Sequence, residues 1–250
     1  MKKQNKGAVV AIVLVCAMML ALTVYAWVEV INGVDISGIK VKPAESKGLK
    51  IKKAGDSSFS VVANASTVNA QSLNPVSTAD LVNWYVPSDV NQIGGNGSYN
   101  GDFVKINSGD ASTYYYNESF SVKSSTAYIG GLRITGINVT DSSGRALSAD
   151  ISKAIRVGVK TNVMNESIKI FAPVSGYDAS CQVVNGTNSK TEATYVEAPA
   201  KIISSAINTM DEYVIDVFVW YEGQDSNFTH GNLLNADEIR IEIHFECLEY

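Results

Sequence analysis

Few side chains in this 250-residue chain combine in a pattern that could run chemistry. Only two histidines are present. His244 alternates with Arg240 and Glu242 along a strand-like run, so it reads as a solvated strand residue, and His230 lies in a Thr-His-Gly turn. There is no H-E-x-x-H and no second histidine at helical spacing, so a zinc hydrolase of that kind lacks its ligands. No G-x-S-x-G elbow, P-loop or G-x-G-x-x-G fingerprint stands between a strand and a helix. Cysteine–histidine catalysis would have to draw on Cys181, Cys247, His230 and His244, and no local motif joins them. The loop from Asp89 to Asp102 is rich in oxygen ligands. As a calcium loop it places Asp89, Asn91 and Gly94 well, but Ile93 and Asn100 fall where ligands are required. Solvated turns account for it better. The sequence therefore predicts no catalytic residue, no metal and no cofactor. Of the three cysteines, Cys16 lies in the N-terminal apolar run. Cys181 and Cys247 could form one disulfide in an exported chain. Alternatively, Cys247, in phase with Ile243 and Phe245, is a small buried apolar residue.

The elements that would position any site are strands. Tyr213–Tyr221 is rich in Val, Ile, Phe, Trp and Tyr, the types that fit a pleated, packed surface. Alternation puts Tyr213, Ile215, Val217, Val219 and Tyr221 on one face, and Val214, Phe218 and Trp220 on the other, with Asp216 interrupting. A strand apolar on both faces belongs mid-sheet with cover on each side. Glu222-Gly223 should end it in a turn where glycine takes a positive φ. Ile239, Ile241, Ile243 and Phe245 alternate with Arg240, Glu242, His244 and Glu246, giving one dry and one wet face. Further strands are expected at Ile39–Lys42, Leu49–Lys52, Phe120–Lys123, Leu132–Val139, Ile155–Val159 and Ile168–Ala172. One short helix is expected over Ser148–Ala154. Residues 54–116 shift to Ser, Asn, Gly, Asp and Thr, with apolar islands such as Leu81–Val86. They read as long decorated loops over the sandwich. Gly186–Ala198 reads as loop, and Lys201–Met210 as either a helical turn or a strand. The fold class is all-β: a jelly-roll-like β-sandwich with long decorated loops and one or two short helices.

The N-terminus is of another kind. Lys2, Lys3 and Lys6 precede an uncharged apolar stretch from Ala8 to Val28, which ends in Val24-Tyr25-Ala26. A basic start, an apolar middle and small residues at the exit describe a signal peptide, with cleavage between Ala26 and Trp27. The rival is an uncleaved membrane anchor, since the run is long enough to span a bilayer. Either way the lysines place residues 27–250, one sandwich domain, outside the cell. The formal charge of −5 becomes −8 once the three lysines of Met1–Ala26 are removed. Nucleic-acid binding, which needs a basic footprint, is excluded on that ground. Just beyond the exit, Val28, Val30, Val34 and Ile36 fall on one alternating face.

Thr23-Val24-Tyr25-Ala26-Trp27 resembles the exit of proteins handled by the SipW-type signal peptidase. Ala154–Val159, with Val217-Phe218-Val219-Trp220-Tyr221-Glu222-Gly223-Gln224-Asp225, resembles the TasA/camelysin family of secreted proteins of Gram-positive bacteria. That resemblance implies a jelly-roll sandwich, secretion, and assembly into biofilm-matrix fibres with copies of itself and other matrix proteins. In such fibres the N-terminal segment of one subunit inserts as a strand into its neighbour, and the matching stretch is Trp27–Ile36. The camelysin branch also implies a metalloprotease, for which this chain has no recognisable zinc-ligand motif. The leading expectation is a secreted, non-enzymatic matrix subunit. The alternative is a membrane-anchored surface module that holds glycan or peptide with Tyr99, Tyr114, Tyr115 and Tyr116.

Overall fold

The computed structural model describes residues 39–43, 48–64, 73–89, 101–126, 128–147, 150–228 and 239–248. The predicted signal segment, the cleavage point at Ala26 and Trp27, the donor residues Val28, Val30, Val34 and Ile36, His230, Tyr99 and most of the Asp89–Asp102 loop lie outside them.

The first described strand, β1 (Ile39–Pro43), is followed by β2 (Leu49–Lys53), the two-residue β3 (Ala63–Asn64), β4 (Tyr85–Pro87) and β5 (Phe103–Lys105). The long β6 (Tyr115–Ser124), β7 (Tyr128–Ile129), β8 (Leu132–Asp141) and β9 (Ile155–Thr161) come next. Then follow β10 (Lys169–Phe171), β11 (Gln182–Gly186), β12 (Ser189–Glu192), β13 (Ala200–Ile203) and β14 (Ile207–Asn208). The chain closes on β15 (Tyr213–Tyr221) and β16 (Ile239–Cys247). Short 3-10 helices occupy Ser108–Thr113 and Asp150–Ala154. The second is the predicted helix, tightened to a 3-10 turn.

Two five-stranded sheets carry the fold, in the orders β13-β8-β16-β1-β3 and β10-β9-β15-β6-β2. Between them, Ile215, Val217 and Val219 of β15 and Phe120 and Val122 of β6 meet Ile241, Ile243 and Phe245 of β16 and Leu132 and Ile134 of β8 in one buried cluster. This all-β sandwich is the expected class. β15 is the central strand of its sheet, paired along most of its length with both β6 and β9. β16 buries Ile239, Ile241, Ile243 and Phe245, as the alternation required. Its pairing with β8 shifts between His244 and Phe245, leaving Thr135 as an extra residue in β8. Such a bulge bends the strand that carries it.

The other face of β15 is dry as well. Phe218 and Trp220 pack with Val76, Leu81, Trp84 and Ile170 in a second buried cluster. Trp84 stacks on Tyr115 with centroids 4.1 Å apart and meets Trp220 edge-on at 5.2 Å. The apolar islands read as loop decoration thus gain a core by borrowing the outer face of β15. Gly158 permits this: a Cβ there would stand 2.5 Å from a Leu81 methyl. The tyrosines considered for ligand binding are spent here in part, since Tyr114 and Tyr115 pack against this cluster. Three further readings change. Residues 182–192 form the β11–β12 hairpin, whose second strand, Ser189–Glu192, lies within the Gly186–Ala198 stretch read as loop. Lys201–Met210 resolves into strand, as parts of β13 and β14. Gly223 has no positive φ; its missing Cβ instead lets Pro75 approach to 3.3 Å of where that atom would be.

Candidate functional site

The residues that follow β15 carry the densest buried polarity among the described residues. Glu222 and Asp225 are both completely buried, and so is Arg156, the second residue of β9. They come together because β9 and β15 are paired: Trp220 stands opposite Arg156, and the chain turns back over β9 just beyond. Arg156 forms an ion pair with Asp225 and also donates to the Lys153 carbonyl at 2.8 Å and the Ile155 carbonyl at 3.1 Å. Its guanidinium lies over the Tyr195 ring, 4.4 Å from the centroid, and 5.5 Å from that of Tyr177. Arginine suits such a place, because its planar, weakly hydrated cation tolerates stacking.

Asp225 is met by several donors. Besides Arg156 it accepts from the backbone N–H of Asp178 at 3.1 Å, and from the backbone N–H and side-chain amide of Asn227, both at 2.8 Å. Glu222 is placed differently. Its carboxyl accepts from the Trp220 indole at 3.3 Å and from the Gln224 backbone N–H at 3.1 Å, and the Ser77 side chain bonds it as well. Burial nevertheless dominates and raises its pKa to about 7, against the opposing pull of Ser77, Arg156 and the Gln224 N–H. One guanidinium faces two carboxylates, and Asp225 holds it by direct contact. Glu222 is the surplus acid and keeps its proton up to neutral pH.

The constellation ties the decorations to the sandwich. Val76 forms a parallel bridge with Glu222, its N–H donating to the Tyr221 carbonyl at 3.1 Å and its carbonyl accepting from Gly223 at 3.2 Å. The Ser77 hydroxyl also accepts from Val184 of β11 at 2.9 Å. The Asn227 amide reaches the Gly176 carbonyl at 3.1 Å. One short turn after β15 therefore holds the 73–87 segment and the 176–196 segment onto the outer face of that sheet. Neither Arg156 nor the Glu222–Asp225 pair was singled out from sequence. Both fall inside the stretches that carry the family resemblance, where Arg156 interrupts an apolar strand and Glu222 and Asp225 stand in the polar turn that follows β15.

The other predicted positions are scattered. Cys181 is buried before β11, its thiol pointing to the Gln182 carbonyl at 3.6 Å. Burial first, and then the Glu222 carboxylate, push that thiol well above its usual range, which weakens it as a nucleophile. Cys247 stands at the end of β16, opposite Leu132, and the structure does not join it to Cys181. His244 lies on the outer face of its sheet, 3.7 Å from Glu242 and 3.3 Å from the Asn138 amide. Among the described residues no group of three or more His, Cys, Asp or Glu could hold a metal ion. No described helix is long and apolar enough to cross a membrane. No family model, no curated protein and no solved structure matches the chain.

Proposed function

We propose that this protein is a secreted, non-enzymatic structural subunit of the extracellular matrix, of the TasA/camelysin kind. Its copies join when the segment Trp27–Ile36 of one is donated as a strand to the next. The observation that carries this reading is the position of β1. It lies alongside β16 in parallel, with Ile39 opposite Ile241, and among the described residues it is covered on its other side only at Lys40 and Val41 by the two-residue β3. In this register the described part of β16 leaves only Ile239 and Arg240 for chain that precedes Ile39. The ten residues Trp27–Ile36 thus exceed what the described part of their own β16 offers along that line. Their apolar alternation suits a strand edge elsewhere, where main-chain bonds give affinity and alternate side chains fill pockets.

The test is assembly of the full chain carrying Val30→Asp and Val34→Asp together. A buried, unpartnered carboxylate at a junction is heavily penalised. Size-exclusion chromatography with negative-stain electron microscopy should show fibres or multimers for the wild type, and a monomer with unchanged far-ultraviolet circular dichroism for the variant. Multimers that persist in the variant would overturn strand donation.

A further inference from the structure

β8 is left unpaired for part of its length. On one side it runs against β16 from Leu132 to Asp141. On the other, β13 pairs with it only from Leu132 to Ile134, and the chain before Ala200 leads away, Val196 bonding to Ile170 of β10 instead. At the far end the Asp141–Arg145 turn folds back, with a bridge between Thr140 and Ala146. Between these limits Gly136 to Val139 have no strand on that second side among the described residues.

The backbone polarity of that stretch is aimed outward. The Asp141 N–H donates to the Arg145 carbonyl at 2.8 Å rather than to β16. Because N–H and C=O groups of an antiparallel strand alternate sides, those of Val139 and Ile137 face the same way. Two adjoining recesses lie there. One, of 370 Å³, runs between Ile137, Phe171, Pro173 and Tyr195. The other, of 480 Å³, runs between Val139, Pro173, Ala146 and Arg240. They share Ile137, Asn138 and Pro173, so they form one slot along the strand. Ile137, Val139, Leu147 and Val196 beside it touch the main core but are only partly buried, so the core is unfinished at this point.

We propose that this slot receives the donated strand: Gly33–Ile36 of a second copy lies beside Gly136–Val139, with Val34 and Ile36 completing the core. The proposal rests on the strand-donation reading above and names its receiving surface. The length fits, since the four residues Gly33–Ile36 match the four from Gly136 to Val139. The pattern fits, since Val34 and Ile36 alternate around Asp35, which would face the wet side, where Arg240 and Glu242 both border the slot. Reach requires a second copy. Ile36 is joined to Ile39 through Ser37 and Gly38 alone, a span of about 11 Å at full extension. β1 and the slot are three strand spacings apart, about 14 Å.

Three full-length variants test it. Ile137→Pro with Val139→Pro removes the two donors that face the slot but leaves the ladder to β16. Ala172→Trp fills the slot from its opposite wall without touching β8. Val34→Asp with Ile36→Asp disables the donor. Each should be monomeric alone by size-exclusion chromatography, and a slot variant mixed with the donor variant should yield only heterodimers. Multimers in both slot variants, lost in the donor variant, would overturn the slot while leaving strand donation standing. Multimers in the donor variant would overturn both. As an independent check, Val34→Cys combined with Val139→Cys or Ile137→Cys should give disulfide-linked multimers on oxidation. A product linked within one chain would overturn the proposal.

Discussion

Replacing Glu222 by glutamine should favour the variant increasingly over wild type as the pH rises from acid to alkaline. Glu222 is fully buried, and its pKa rises from 4.5 in the unfolded chain to about 7 in the folded one. A carboxyl with a raised folded pKa binds its proton more tightly in the native state. Its contribution is therefore complete below pH 4.5 and is lost as the pH rises through about 7. At about 1.4 kcal/mol per pH unit, that difference corresponds to about 3 kcal/mol of stability lost by the wild type across the window. Glutamine has nearly the same shape and cannot ionise; its single oxygen serves only one of the Trp220 indole and the Gln224 N–H, a cost that is the same at every pH. The assay is urea unfolding of both proteins at intervals from pH 4.5 to 8.5, followed by circular dichroism and by tryptophan fluorescence. The advantage of Glu222→Gln over wild type should grow by about 3 kcal/mol from the acid end to the alkaline end. A difference that stays constant with pH would refute the surplus-acid argument, and would mean that Glu222 is already ionised in the folded protein at low pH.

Removing its neighbour should act in the opposite sense. Asp225→Ala leaves the completely buried Arg156 without its anion, and equilibrium unfolding at pH 7 should show a loss of about 3–5 kcal/mol. Trp220→Ala, at a position 1% exposed between Trp84 and β9, should also cost about 3–5 kcal/mol, and an unchanged denaturation midpoint would refute the second core. Gly131→Ala would put a methyl 2.0 Å from the Ile203 carbonyl oxygen, so its melting temperature should fall sharply as β13 is pushed from β8. N-terminal sequencing of the exported protein should begin at or within a few residues of Trp27, and an intact Met1 form held in the membrane would favour the anchored alternative.

The strands were legible because their side-chain period is short and local. The alternation of Ile239, Ile241, Ile243 and Phe245 with charged residues named the dry face of β16, and β15, apolar on both faces but for Asp216, had to lie mid-sheet, as it does. What covers the outer face of β15 was not legible. Leu81 and Trp84 sit in a polar stretch and find their core only through contact with Phe218 and Trp220, more than 130 positions away in the chain. The buried ion pair was hidden for a similar reason. Arg156 and Asp225 are 69 positions apart, and either one alone reads as the ordinary polar end of a strand. The slot beside β8 is a property of pairing alone: Gly136–Val139 looks like any alternating strand until it is known that β13 stops at Ile134. Local periodicity thus determined which residues face inward. Which strand ends early, and which charges meet in the dark, were decided by long-range register, which no local pattern encodes.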